Sequence, residues 1–168
     1  MRQIRSTWLA FALAALVVAA DQLTKAWALA ALRTEGVSHA FFGPLDATLL
    51  FNRSNAFHMA PVWGEASRWG LVAFNLAVAS GLGIWLVRTP RRLPAALAAG
   101  FLIGGAVGNA IDRIRAGMVV DFLDLSRIGF HWIFNLADAC VDAGIVLMLL
   151  ALARSGDGRS DRTPADVR

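Results

Sequence analysis

The sequence predicts an all-α membrane protein: four transmembrane helices with a small extracytoplasmic β-sheet and a short interfacial helix. Three observations predict it. Of the 168 residues, 57% are hydrophobic and only 17% charged, against about 45–50% and about 25% in soluble domains. Four stretches stay apolar over the roughly 17–25 residues that a helix needs to cross about 30 Å of hydrocarbon. The connections on one side carry short β-prone patches. This composition excludes a disordered chain and an ordinary soluble enzyme, and the lone Cys140 excludes a disulfide scaffold. A net charge of +4 would suggest nucleic acid for a soluble protein. The weighting toward Ala, Leu, Val and Trp points to a bilayer instead, so no nucleic-acid partner is expected.

The first span runs from Thr7 to Leu32. It opens with the uncharged TWLAFALAALVVAA and continues apolar past Asp21 and Lys25. Arg2 and Arg5 before an Ala-rich run also fit a cleaved signal peptide, but cleavage there would discard the sequence DQLTK. The second span, Trp69 to Val87, is uncharged, and the third, Ala95 to Ile111, is uncharged and glycine-rich. The fourth, Phe134 to Ala153, is apolar except for Asp138 and Asp142. Pro61, Pro90 and Pro94 fall outside the helix interiors, as a residue without an amide hydrogen should. The spans form one domain, residues 1–153, with extracytoplasmic loops 33–68 and 112–133. Residues 154–168 are polar and contain Gly, Ser and Pro, the composition of a disordered cytoplasmic tail.

Orientation follows from the basic residues. The N-terminus, the second turn and the tail hold nine arginines against three aspartates. The other two loops and the helix ends beside them hold seven basic residues against nine acids. Basic residues stay on the cytoplasmic side, so both termini are expected there. In the first long loop, Ala47 to Phe51 alternates after the turn pair Gly43-Pro44, and MVVDFLDL is a second β-prone patch in the other. The two can pair into a small sheet on the membrane surface. Trp63, Ala66 and Trp69 share a helical face, so a short interfacial helix is expected over Val62 to Trp69.

Ionisable groups in or beside a span are costly and each needs a reason. Asp21 and Lys25 are four residues apart in DQLTK. They read either as an interfacial ion pair or as a buried pair that orients something in a cavity. Asn109, Asp112 and Arg113 make one polar face in GNAIDR, where the third span ends. Above them, Gly100, Gly104 and Gly108 strip side chains from one stripe, which suits close helix packing. Asp138 is the fifth residue counted from Phe134, about 6 Å below the outer end of its span. Asn135 is one turn shallower and Asp142 one turn deeper.

No Lys or Arg lies in that helix before Arg154, so Asp138 lacks a local counter-ion. Asp121, in VVDFLD, can meet it if the β-prone patch folds over the helix end. Two carboxylates in a poorly solvated site share one proton. Such a pair can activate water and polarise a peptide carbonyl. It can also relay protons in a transporter, with Asp21, Asp138 and Asp142 as the chain of groups. Spacing leaves both open, although four spans without an inverted repeat fit a transporter less well. His39, His58 and His131 are scattered and Cys140 has no neighbouring His, so neither a metal site nor a thiol nucleophile is expected.

Taken in order, DQLTK, GNAIDR, VVDFLD and FNLAD resemble the lipoprotein signal peptidases, the type II signal peptidases. The resemblance runs from about residue 20 to residue 145. It implies an intramembrane aspartic peptidase of the bacterial inner membrane, with four transmembrane helices, a β-cradle and a surface helix. Its implied substrates are prolipoproteins, cut just before the diacylglyceryl-modified cysteine near the extracytoplasmic face. The implied catalytic pair is Asp121 and Asp138. Asp21, Lys25, Asn52, Asn109, Asp112, Arg113 and Asn135 are the supporting polar residues. Prolipoproteins and membrane lipids are the expected partners, the chain is expected to be a monomer, and the chemistry needs no metal or cofactor. One motif departs. The family's first loop reads close to N-x-G-x-x-F, whereas this chain has Asn52-Arg53-Ser54-Asn55-Ala56-Phe57. Ser54 replaces a glycine that could take a positive φ, which leaves a divergent paralogue with altered substrates or without turnover as an alternative.

Overall fold

The computed structural model describes residues 2–53, 64–89 and 92–156. Ser54, Asn55, Phe57, Val62 and Trp63, and the tail from residue 157 onward, lie outside the described residues. Four long helices dominate: α1 (Arg2–Leu32), α2 (Gly64–Arg88), α3 (Leu93–Ala116) and α4 (Leu136–Gly156). Each contains a window long and apolar enough to cross a membrane: Arg5–Leu32, Glu65–Arg88, Leu93–Ala116 and Leu136–Arg154. Between them lie four strands: β1 (Ser38–Phe42), β2 (Leu45–Asn52), β3 (Val119–Asp124) and β4 (Ile133–Phe134). They form one antiparallel sheet in the order β1-β2-β3-β4.

The helix α3 is the hub of the bundle, packing on α1, α2 and α4. Its small residues explain why. A Cβ on Gly100 would stand 2.7 Å from the Ala10 carbonyl oxygen, and one on Gly104 only 2.6 Å from the Val17 Cβ. The glycine stripe therefore lets α1 approach to backbone contact. Gly105, on the adjacent face, does the same for α4, where a Cβ would meet the Ala137 oxygen at 2.5 Å. The bundle core is correspondingly built of small residues, among them Ala10, Ala14, Ala96, Ala99 and Ala106, with the larger Leu86 and Ile103 between them.

The sheet sits over the end of α1. Val120 and Phe122 of β3, with Ala47 and Leu49 of β2, pack on Ala28 and Leu32. Strand alternation then turns Asp121 to the opposite face.

Several boundaries differ from the sequence reading. Asp112 and Arg113 do not end α3; it continues to Ala116, where Gly117 at φ 73° takes the left-handed conformation and its amide bonds to the Arg113 carbonyl. The second connection therefore covers residues 117–135 rather than 112–133. Gly64 to Trp69 belong to the first turns of α2, so within the described residues no separate helix precedes it. The first connection is correspondingly shorter than 33–68. Arg68 explains this continuity. Its Nε and Nη2 donate to the carbonyls of Arg113 and Ile114 at 2.7 and 2.9 Å, and Nη1 pairs with Glu65 at 3.2 Å. A cation at a helix C-terminus satisfies its free carbonyls, and here it also fastens the start of α2 to the end of α3. Phe134 lies in β4, so the fourth helix begins two residues later than expected and runs past Ala153 to Gly156.

Candidate active site

The polar residues named above converge where α1, α3, β2, β3 and the start of α4 meet. At the base is a buried charge cluster. Lys25 Nζ pairs with Asp21 Oδ2 and Asp112 Oδ2, each at 2.8 Å, and donates to Asn109 Oδ1 at 3.3 Å. Asp21 is 0% and Lys25 3% exposed. A solvated interfacial ion pair is therefore not what DQLTK forms. Gln22, the unassigned residue of that motif, donates to Asp112 Oδ1 at 2.9 Å and to Asp21 Oδ2 at 3.2 Å. The remaining oxygen of Asp21 accepts the Ala137 amide at 3.0 Å. The first turn of a helix has amides without intrahelical partners, so Asp21 of α1 satisfies one from α4. Gly108 makes room for this: a Cβ there would stand 2.6 Å from Asp21 Oδ2.

Asn135 precedes the first helical residue of α4 and acts as its N-cap. Its Oδ1 accepts the Asp138 amide at 2.9 Å, and Asp138 Oδ2 accepts the Asn135 amide at 3.4 Å. This reciprocal pair is a capping box. Asp138 consequently lies at the third helical position, in the first turn and shallower than the sequence count placed it. Its other oxygen accepts from Asn109 Nδ2 at 2.7 Å.

Asp121 is reached from β2 and from the cap of α4. Asn135 Nδ2 donates to its Oδ1 at 2.7 Å and Asn52 Nδ2 to its Oδ2 at 3.0 Å. Burial first, and then the nearby Asp138 charge, push its pKa up to about 7, against the lowering effect of the two asparagine donors and Lys25. Asp124, three residues along the same strand, behaves oppositely. Burial would raise it, but hydrogen bonds from Ser126 and Thr48 hold it below the usual carboxylate range. One strand thus carries a carboxylate kept ionised and a carboxylate poised near neutrality.

Arg113 is buried, and one Nη donates to the Asn109 carbonyl at 3.4 Å. Among the described residues no carboxylate lies within ion-pair distance of it, although Asp138, Asp121 and Asp112 are close enough to interact with its charge. The structure thus brings together all nine residues singled out from the sequence. Asp142 is outside the cluster: it is exposed on α4, on a turn that Cys140 and Gly144 anchor to the bundle. The relay of Asp21, Asp138 and Asp142 is not assembled.

Sequence reading missed Gln22, Arg68 and Gly105. Gln22 could have been found from its place inside DQLTK, one residue from a buried carboxylate. Arg68 and Gly105 carry no local signal.

Comparison with known proteins agrees with this geometry. Residues 13–154 match the family model described as signal peptidase (SPase) II. A lipoprotein signal peptidase of Caulobacter vibrioides is 41% identical over 150 residues, covering 87% of each chain. One from Hydrogenovibrio crunogenus is 37% identical over 150 residues, 88% of this chain and 84% of that protein. A solved structure titled as a bacterial membrane enzyme at 2.3 Å resolution superposes with a TM-score of 0.78 at 27% identity, covering 95% of this chain and 94% of its own. With a matching sequence family, a matching membrane fold and a buried and a half-buried aspartate joined through one asparagine, the chain belongs to the signal peptidase II family of aspartic peptidases.

Proposed function

We propose that the chain removes signal peptides from prolipoproteins, cutting before the diacylglyceryl-modified cysteine, with Asp121 and Asp138 as the catalytic pair. The observation that carries this reading is the single side chain of Asn135, which donates to Asp121 and caps the turn that bears Asp138. It holds two carboxylates from different elements at one place, at the sheet end of the bundle.

The chemistry follows from one shared proton. The ionised member of the pair takes a proton from water, and the resulting hydroxide attacks the scissile carbonyl carbon. The protonated member donates to the carbonyl oxygen as it gains charge. The tetrahedral gem-diol then collapses: one of its hydroxyls returns a proton to the carboxylate that donated, the C–N bond breaks, and the leaving amine of the cysteine takes the proton that the other carboxyl had drawn from water, so the pair ends with its one proton. Arg113 carries a positive charge beside the pair, with no carboxylate within ion-pair distance among the described residues. It is the residue that receives a substrate carbonyl, with Asn52 and Asn109 orienting the backbone. The cluster of Asp21, Lys25 and Asp112 holds α1, α3 and α4 in register beneath.

In this reading residues 1–153 work as a single peptidase domain, and the chain is a monomer in the bacterial inner membrane. The arginine-rich ends are cytoplasmic and the sheet faces the other side.

The test is hydrolysis of a diacylglyceryl-cysteine peptide by the purified protein in lipid. Wild type should turn over, while Asp121→Asn and Asp138→Asn should each lose at least a thousandfold in kcat and remain folded. Substantial turnover by either variant would overturn the assignment of the pair. Binding without turnover by the wild type would identify a non-catalytic paralogue, the alternative raised by Ser54.

A further inference from the structure

We propose that the end of the sheet remote from Asp121 is inserted into the bilayer, as an apolar edge that dips into the leaflet on the sheet's side. This surface plays no part in the chemistry above.

The topology brings two separate loops to that end. Asp46 of β2 pairs with Asp124 of β3, and Phe42 with Leu45. The β1–β2 turn and the segment after β3 therefore leave the sheet side by side. Arg127, in the short 3-10 turn Ser126–Ile128, joins them through Asp46 at 2.7 Å. What the two loops present outward is mainly apolar, with Arg127 and His131 the exposed polar exceptions, and it is uncovered among the described residues. Phe42 is 79% exposed, Ile128 60% and Phe130 55%, and Phe130 stacks on Trp132 with ring centroids 6.4 Å apart. Exposed apolar residues clustered in this way mark a partner.

The depth of the edge says which partner. The Phe41 ring lies 5.4 Å from that of Trp27, centroid to centroid. Trp27 is five residues before the end of α1 at Leu32, which is about 7 Å back along the axis at 1.5 Å per residue. Helical side chains also tilt toward the N-terminus, here further into the span. The hairpin therefore turns back down beside α1, and its aromatic end is continuous with the lipid-facing surface of that helix. Phe and Trp at the level of a helix end, with the arginine of the turn engaged by a carboxylate, fit the bilayer interface. The edge anchors the sheet at a fixed depth, through contacts with acyl chains rather than with another protein.

Photo-crosslinking tests this on the complete protein in phospholipid nanodiscs. Benzoylphenylalanine is placed singly at Phe42, Phe130, Ser38 and Leu149, and intact-mass spectra are read after irradiation. Leu149 is the positive control, being 61% exposed within the candidate span of α4. Phospholipid adducts at positions 42, 130 and 149, with none at 38, are the expected result. Adducts at 149 alone would overturn the proposal, as would capture of a second copy of the chain at 42 or 130 in place of lipid.

Discussion

The Asp138 amide donates to Asn135 Oδ1 at 2.9 Å while Asn135 Nδ2 donates to Asp121 Oδ1 at 2.7 Å. One side chain thus does two separable things. Asn135→Ala removes both and should cost about 1 kcal/mol of stability, the usual loss for an N-cap. Displacement of the pair should lower kcat about a hundredfold. Asn135→Ser keeps a capping oxygen but has no donor for Asp121. It should melt close to wild type and still be as slow as Asn135→Ala. Thermal unfolding in detergent and peptide hydrolysis, measured on both variants, check this.

The raised pKa of Asp121 sets two pH dependences. Its ordinary value is 3.8 and its folded value about 7. Between those limits the folded state binds more protons than the unfolded one, so stability should fall as pH rises from about 4 to about 7 and then level off. Asp121→Asn should lack that slope. In the proposed mechanism the pair must keep one proton, so kcat/KM should fall above about pH 7, approaching tenfold per unit. Melting curves and rate profiles over pH 4–9 measure both; a rate still rising at pH 9 would contradict the shared proton.

Lys25 separates two buried carboxylates. Lys25→Met leaves Asp21 and Asp112 facing each other without a cation and should cost about 3–5 kcal/mol, as unpaired buried charge does. Adding Asp112→Asn to that variant removes the repulsion and should restore part of the loss. The non-additivity of the double mutant, read from unfolding in detergent, reports the coupling directly.

Two glycines should respond in opposite ways to the same change. Gly104→Ala drives a methyl to 2.6 Å from Val17 and should destabilise by about 1–3 kcal/mol. Gly81 on α2 has nothing within 4 Å of the added carbon. Gly81→Ala should be neutral or stabilise by up to about 1 kcal/mol through helix propensity. Unfolding midpoints of the two variants distinguish packing from propensity.

The four spans were legible because each is a long, mainly apolar run, the second and third with proline near their borders, and β2 and β3 because Ala47–Phe51 and Val119–Asp124 are rich in β-formers. Asp21, Lys25, Asn109 and Asp138 were legible because aspartate, lysine and asparagine have few reasons to sit in a membrane span, whereas Asn52 was named only through the family resemblance. What was not legible depends on contacts across the chain. Phe134 is apolar and adjoins an apolar helix, so only its pairing with Leu123 shows that it is a strand residue. That pairing moves the helix start and makes Asn135 a cap instead of a helical neighbour. Asp112 and Arg113 look like a helix end by charge, yet α3 passes through them because Lys25, Gln22 and Arg68 from other helices satisfy that turn.

The amide that Asp21 accepts belongs to Ala137, 116 residues further along the chain, and Asp121 waits on Asn135 in the same way. A polypeptide made from its N-terminus therefore has α1, α2, α3 and most of the sheet, with Asn52 already able to reach Asp121, before Asn135 is there to join Asp121 to Asp138. Until α4 has left the ribosome and entered the bilayer, the pair proposed to be catalytic stays unassembled. On that assignment, the competence to cut proteins arrives only once this helix is made.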